Sequence, residues 1–230
     1  MAAFRPLTAA GLRHNEVMTA AVAPTPEQVV LLDNVSWETY TNLLKELNPS
    51  PGKRLAYDQG TLQIMVLSSP HELPNRLLGY IVVEFATVMD LEFCESGSTT
   101  FKREDLKQGF EADTSFYFRN VKAILGKGEI SLPEDPAPDL VIEIDITRSS
   151  LNKFPIFAAF GVAEIWRYHR GIVKFFELRD DRYEEAEKSV ILTPVTSTVV
   201  SELLATALRQ PRRSILRRKI QDWIRDNRPA

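Results

Sequence analysis

The stretch Pro136–Gly161, PAPDLVIEIDITRSSLNKFPIFAAFG, carries carboxylates where a core strand should have none. Leu140, Ile142, Ile144 and Ile146 alternate with Asp139, Val141, Glu143 and Asp145, so period two puts the four apolar residues on one face and three acids on the other. Like charges crowded on one strand face repel, and burying them without partners is costly. A hard divalent cation offsets that cost, whereas the bland alternative is the exposed polar face of an edge strand. A second carboxylate pair, Glu111 and Asp113, lies on one face of the alternating run Phe110–Phe118. If the two strands are neighbours, Asp113 and Glu143 come within reach of a shared Mg²⁺. Lys153 follows in the first turn of a short helix, where the macrodipole disfavours a cation but a carboxylate cluster welcomes one. Asp113, Glu143, Asp145 and Lys153, with Glu72 as an addition, are the parts for metal-dependent phosphodiester hydrolysis. The acids hold the cation, the cation activates water and polarises the phosphate, and the lysine positions the nucleophile or neutralises developing charge.

The surrounding elements must position these groups. Ser149, Ser150 and Asn152 are N-cap types, Pro155 suits a first turn and Gly161 a stop, so a helix separates the acidic strand from the next strand, Glu164–Tyr168. His169-Arg170-Gly171 turns into a returning strand, Ile172–Leu178, followed by a charged turn region at Asp180–Lys188 and a short strand at Val190–Leu192. Upstream, Val29–Leu32 is a short apolar run, and Ser36 caps a helix reaching Leu47, with Asn48-Pro49 as its stop. Arg54–Ser68 reads as a hairpin turning at Asp58-Gln59-Gly60, with Leu62, Ile64 and Val66 on one face. A long helix, Glu72–Met89, has an apolar stripe wide enough to lie across a sheet. His71 stands just before it beside Glu72, and Glu84 reads as a solvated position within it. Leu91–Glu95 is a short strand and Val121–Leu125 a short helix; Val199–Leu208 and Ser214–Ile224 are helical. The last helix carries the main basic concentration, including Arg212, Arg213, Arg217 and Arg218, a candidate contact for a phosphate backbone.

Composition narrows the field. The 230 residues are 44% hydrophobic and 26% charged with a net charge of −3, ordinary globular values that give no bulk drive toward nucleic acid or anionic membrane. The single cysteine, Cys94, excludes a disulfide framework and a cysteine zinc site. No apolar run is long enough to span a membrane and no signal peptide is visible, so a cytoplasmic location is expected. Three histidines without metal spacing, and the lack of a nucleophile elbow, a P-loop or a dinucleotide loop, disfavour the other common chemistries. Residues 1–26 read as a poorly ordered segment in which Met18 is an alternative start, 27–200 as an α/β domain, and 201–230 as a basic helical extension. The expected fold is α/β, with a central mixed sheet flanked by helices.

The order of hairpin, long helix, acidic strand, PDLVIEI strand, helix and GVAEIWRY strand resembles the Uma-two endonuclease family, assigned to the PD-(D/E)xK restriction-endonuclease-like fold. The resemblance runs from Val35 to Leu178, with residues 138–168 its specific part. It implies a Mg²⁺-dependent endonuclease, with Mn²⁺ as a substitute and DNA as the expected substrate, in a fold that often dimerises. Asp113 matches the motif aspartate, preceded here by Ala112 in place of proline, and Glu143 matches the acid of the (D/E)xK element. Asp145 stands where that element has lysine; Lys153 matches the family's helical lysine and could supply the missing amine. Asp139 matches the second Pro-Asp, but at about 13 Å along the strand from Glu143 it ranks below the other ligands. Glu72 matches the first-helix acid, with His71 beside it. Two rivals stand: a catalytically inactive scaffold of the same fold that binds nucleic acid or protein, favoured by Asp145 and the mild negative charge, and a phosphohydrolase of small nucleotides.

Overall fold

The computed structural model describes residues 28–47, 52–146, 151–210 and 212–227, and only the backbone at Ser69. The readings made above for residues 1–26, for the Asn48-Pro49 stop and for Ser149 and Ser150 lie outside these residues. The chain runs β1 (Gln28–Leu32), α1 (Trp37–Leu47), β2 (Lys53–Asp58), β3 (Thr61–Val66), α2 (Ser69–Val88), β4 (Cys94–Glu95), β5 (Thr100–Arg103), β6 (Gln108–Glu111) and β7 (Thr114–Tyr117). It continues through α3 (Val121–Ile124), β8 (Leu140–Asp145), α4 (Phe154–Phe160), β9 (Glu164–His169), β10 (Ile172–Arg179), β11 (Arg182–Ala186), α5 (Ser197–Arg209) and α6 (Arg213–Asn227).

These strands make two sheets. The first, in the order β1-β3-β2-β6-β5, is antiparallel throughout. Its β2–β3 hairpin turns at Gln59 and Gly60, both at positive φ (46° and 111°), the geometry that matches strand twist in a two-residue turn. Helix α1 begins where the Thr39 N–H donates to the Ser36 hydroxyl (3.1 Å), and it buries Tyr40 and Leu44 against Leu55, Tyr57 and Leu62. The second sheet, β11-β10-β9-β8-β7-β4, is mixed: β8 and β9 run parallel and the other neighbours antiparallel. Helix α4 makes the β8–β9 crossover and ends at Gly161, whose φ of 79° a side-chain-free residue adopts without strain.

β8 is an interior strand buried on both faces, as a parallel strand covered by helices should be. Leu140, Ile142 and Ile144 join the core formed with α2, α5 and α6, while Val141 joins a second core with α4 and the inner residues of the first sheet, Phe101 and Phe110. The C-terminal helices belong to the first of these cores, where Val200, Leu203, Leu204, Leu216, Ile220 and Ile224 are buried. No described helix is long and apolar enough to cross a membrane.

Four readings change. The run Phe110–Phe118 is not one strand: it breaks at Ala112-Asp113, and β6 pairs in the first sheet while β7 pairs in the second. Phe110 and Phe116, nominally on one face, consequently enter different cores. Asp180–Lys188 contains the edge strand β11, and residues 190–192 are a bend and not a strand, with the Val190 and Ile191 N–H groups donating to the buried Glu164 carboxylate. Glu84 is buried, not solvated, because α6 packs beside it and Arg217 reaches over it with two hydrogen bonds of 2.7 and 2.8 Å.

Candidate active site

The break between β6 and β7 places Asp113 at the junction of the two sheets. β7 pairs with β8 through Thr114↔Ile142 and Phe116↔Leu140, and continuing that register by one position sets Asp113 opposite Glu143. Both carboxylates are buried. Asp113 Oδ2 accepts the Ile144 N–H (2.8 Å) and lies 3.1 Å from His71 Nε2, while its backbone carbonyl accepts from Asn75 Nδ2 (3.2 Å). Arg54, near the start of β2, brings its Nε to 3.7 Å from Asp113 Oδ1. Glu143 Oε2 accepts a hydrogen bond from Lys153 Nζ, which also lies 5.9 Å from the centre of the Phe157 ring. Lys153 is the N-cap residue of α4, so the crossover that joins β8 to β9 returns its ammonium to the strand it has just left.

Burial and charge compete here. Burial alone would raise the Asp113 carboxyl, but the His71 imidazole 3.1 Å away, with Lys153 and the Ile144 N–H, holds it below the usual carboxylate range. Glu143 goes the other way: burial, reinforced by the Asp113 charge and opposed by Lys153, pushes it up to about 7. Burial would lower Lys153, yet the Glu143 and Asp113 charges prevail and hold its ammonium above its ordinary value. Two carboxylates pushed apart in this way are the pattern of a functional site.

Two buried oxygens, Asp113 Oδ1 and Glu143 Oε1, have no hydrogen-bond partner among the described residues. An unsatisfied buried acceptor costs roughly 1–3 kcal/mol. Hard oxygen donors facing one another at a sheet junction fit a divalent cation. Mg²⁺ in particular is commonly held by one or two carboxylates with water and substrate phosphate completing its shell. The donor set stops there: among the described residues no group of three or more His, Cys, Asp or Glu side chains is placed to hold a metal.

The other candidates fall elsewhere. Asp145 is ion-paired with Arg167, and its backbone carbonyl and carboxylate lie 2.8 and 3.9 Å from His169 Nδ1, so the expected third ligand already has a cation. Glu72 is half-buried and paired with Arg76 (2.5 Å); successive helix residues diverge by about 100°, and it is His71 that turns inward. Asp139 accepts the N–H groups of Phe118 (2.7 Å) and Arg119 (2.9 Å), which anchors the end of β7. Of the α6 arginines, Arg217 is held by Glu84 and Arg213 lies 4.8 Å from the centre of the Tyr80 ring. Helix α6 packs on α2 and α5, in the core on the Leu140–Ile142–Ile144 side of β8, opposite the face that carries Val141 and Glu143.

Sequence reasoning passed over Arg54, Gln63 and Asn75. Gln63 is buried on β3 and its Oε1 accepts the Leu151 N–H (3.0 Å), fixing the segment that leads to Lys153. Its signal was a polar residue inside the apolar run Leu62–Val66; Asn75, one turn after His71, had a similar one.

The model of the Uma2 family, described as "Putative restriction endonuclease", matches residues 37–210. The chain belongs to the Uma2 family. The matched span contains every residue of the Asp113–Glu143 cluster, from Arg54 to Lys153. Among solved structures, the chain is similar to a "putative nuclease belonging to DUF820" from Anabaena variabilis ATCC 29413, at 13% identity and a TM-score of 0.47 over 74% of this chain and 99% of that one. No curated protein matches this Uma2 chain.

Proposed function

We propose that this Uma2 protein is a Mg²⁺-dependent endonuclease that hydrolyses phosphodiester bonds of DNA. The observation that carries the reading is the buried Asp113–Glu143 pair, each with an oxygen lacking a hydrogen-bond partner among the described residues, beside the largely covered Lys153 ammonium. Asp113 and Glu143 would hold the cation, which when bound supplies an activated water and neutralises the phosphate. His71 and the Ile144 N–H fix the Asp113 carboxylate, so that its free oxygen is presented without rotamer search. Lys153 holds Glu143 with one donor and keeps others for the attacking water or a phosphate oxygen, standing in for the amine that the Asp145 position does not provide.

A second reading, an inactive scaffold, draws on Asp145 and on the ion pairs that already compensate both acids. Supercoiled plasmid incubated with Mg²⁺ or Mn²⁺ separates the two. Nicking by the wild type, abolished by chelator and by Asp113→Ala or Glu143→Ala, supports the nuclease. Absence of cleavage of several plasmids by folded wild type in either metal supports the scaffold.

A further inference from the structure

Arg54 is an arginine with little to do. Of its five N–H donors, Nη1 gives one hydrogen bond, to its neighbour's carbonyl at Lys53 (2.8 Å), and the buried Nε has no hydrogen-bond partner among the described residues. Its contact with Asp113 Oδ1, at 3.7 Å, is an ion pair beyond hydrogen-bond distance, and that oxygen is itself unsatisfied. The nearby acid Glu111 is no alternative, since its two oxygens accept from the Leu55 N–H (2.7 Å) and the Thr100 hydroxyl (3.0 Å). The Arg54 side chain keeps 16% of its surface exposed, so it stands at the rim of the cluster with a path to solvent. A planar guanidinium with spare donors at the edge of a carboxylate pair suits a phosphate oxygen better than its present partner.

We propose that Arg54 is a phosphate-binding residue of this site: it neutralises Asp113 while no cation is bound and passes to a substrate phosphate oxygen when a divalent cation takes that carboxylate. Cation and phosphate then load in concert, because a cation arriving alone must displace one charge from Asp113 and leaves Arg54 without an anion. This inference rests on the nuclease reading.

The test measures Mn²⁺ binding by calorimetry with and without a phosphorothioate duplex, and duplex binding by anisotropy with and without Ca²⁺. Wild type, Arg54→Gln, Arg54→Lys and Glu143→Gln are compared. In the wild type, Ca²⁺ tightens duplex binding by about tenfold, the scale of one charge-assisted hydrogen bond. In Arg54→Gln the tightening falls to about twofold or less, while Mn²⁺ binding without duplex is equal to or tighter than wild type; Arg54→Lys retains part of the coupling. The proposal is overturned if Arg54→Gln keeps the full coupling, if the wild type has none, or if Arg54→Gln weakens Mn²⁺ binding without duplex, which would make Arg54 a mere support for Asp113. Should Arg54→Gln not fold, Arg54→Lys decides by the same readouts. Wild type that binds neither Mn²⁺ nor duplex would remove the nuclease reading together with this inference. Mn²⁺ binding lost in Glu143→Gln, with coupling intact in Arg54→Gln, would remove the Arg54 proposal alone.

Discussion

Replacing Lys153 by methionine keeps most of the side chain's volume, and with it the packing on Phe157, but deletes the charge, leaving Glu143 buried without its counter-ion. Breaking one side of a buried pair costs about 3–5 kcal/mol when the remaining charge stays ionised. Glu143 can escape by taking a proton. Its carboxyl already sits at about 7, raised by burial and by Asp113, and loss of Lys153 raises it further. A carboxyl raised in the folded state contributes stability at low pH that is lost as pH rises through its folded value. The destabilisation by Lys153→Met should therefore be small at pH 5.5, where both proteins carry a protonated Glu143, and approach about 2 kcal/mol at pH 8.5, the cost of protonating there a carboxyl that sits at about 7 in the wild type. For a chain of this size, that is a fall in Tm of roughly 4–8 °C at the higher pH. Urea denaturation of both proteins at the two pH values reads the difference directly. The double substitution Glu143→Gln/Lys153→Met, which removes both charges, should recover most of the loss at pH 8.5. A destabilisation that is the same at both pH values, or a double variant no better than the single, would refute the coupling.

Three further outcomes follow from the geometry. His71→Ala removes the imidazole 3.1 Å from Asp113 Oδ2 and should weaken Mn²⁺ binding by about 10–100-fold in calorimetry, as loss of a ligand's orienting partner does. Asp139→Ala leaves the Phe118 and Arg119 N–H groups without their acceptor and should cost about 1–3 kcal/mol in urea denaturation, with unchanged Mn²⁺ affinity in the folded protein. Gly109→Ala would set a Cβ 2.3 Å from the hydroxyl of the fully buried Tyr40; the overpacking should cost about 1–3 kcal/mol, measured by thermal melting.

Much of the fold was legible because local signals agreed with the packing. The β2–β3 hairpin had its turn residues, α2 its apolar stripe, and α4 its stop at Gly161. The acidic face of β8 was visible because period two survives in a strand buried on both sides, where the alternation separates two cores and not core from water. The break at Ala112-Asp113 was hidden for the same reason: alternation runs straight through it, and nothing local tells that the strand changes sheet. The site was legible in its acids and its lysine, whose types betray them inside apolar patterns. His71 could not be ranked above Glu72 without the phase of α2 against the sheet, and Arg54 had no signal at all, since a basic residue opening a strand looks like solvated surface. Asp145 and Glu84 were misleading because their cations, Arg167 and Arg217, come from elements distant in sequence.

The central claim is that Asp113 and Glu143 together form a divalent-cation site. Calorimetric titration of Mn²⁺ into wild type, Asp113→Asn and Glu143→Gln tests it most directly, with folding of each protein checked by circular dichroism. One site in the wild type, lost in both variants, is the predicted result. Equal Mn²⁺ binding by all three folded proteins, or none by the wild type with duplex present, would contradict it.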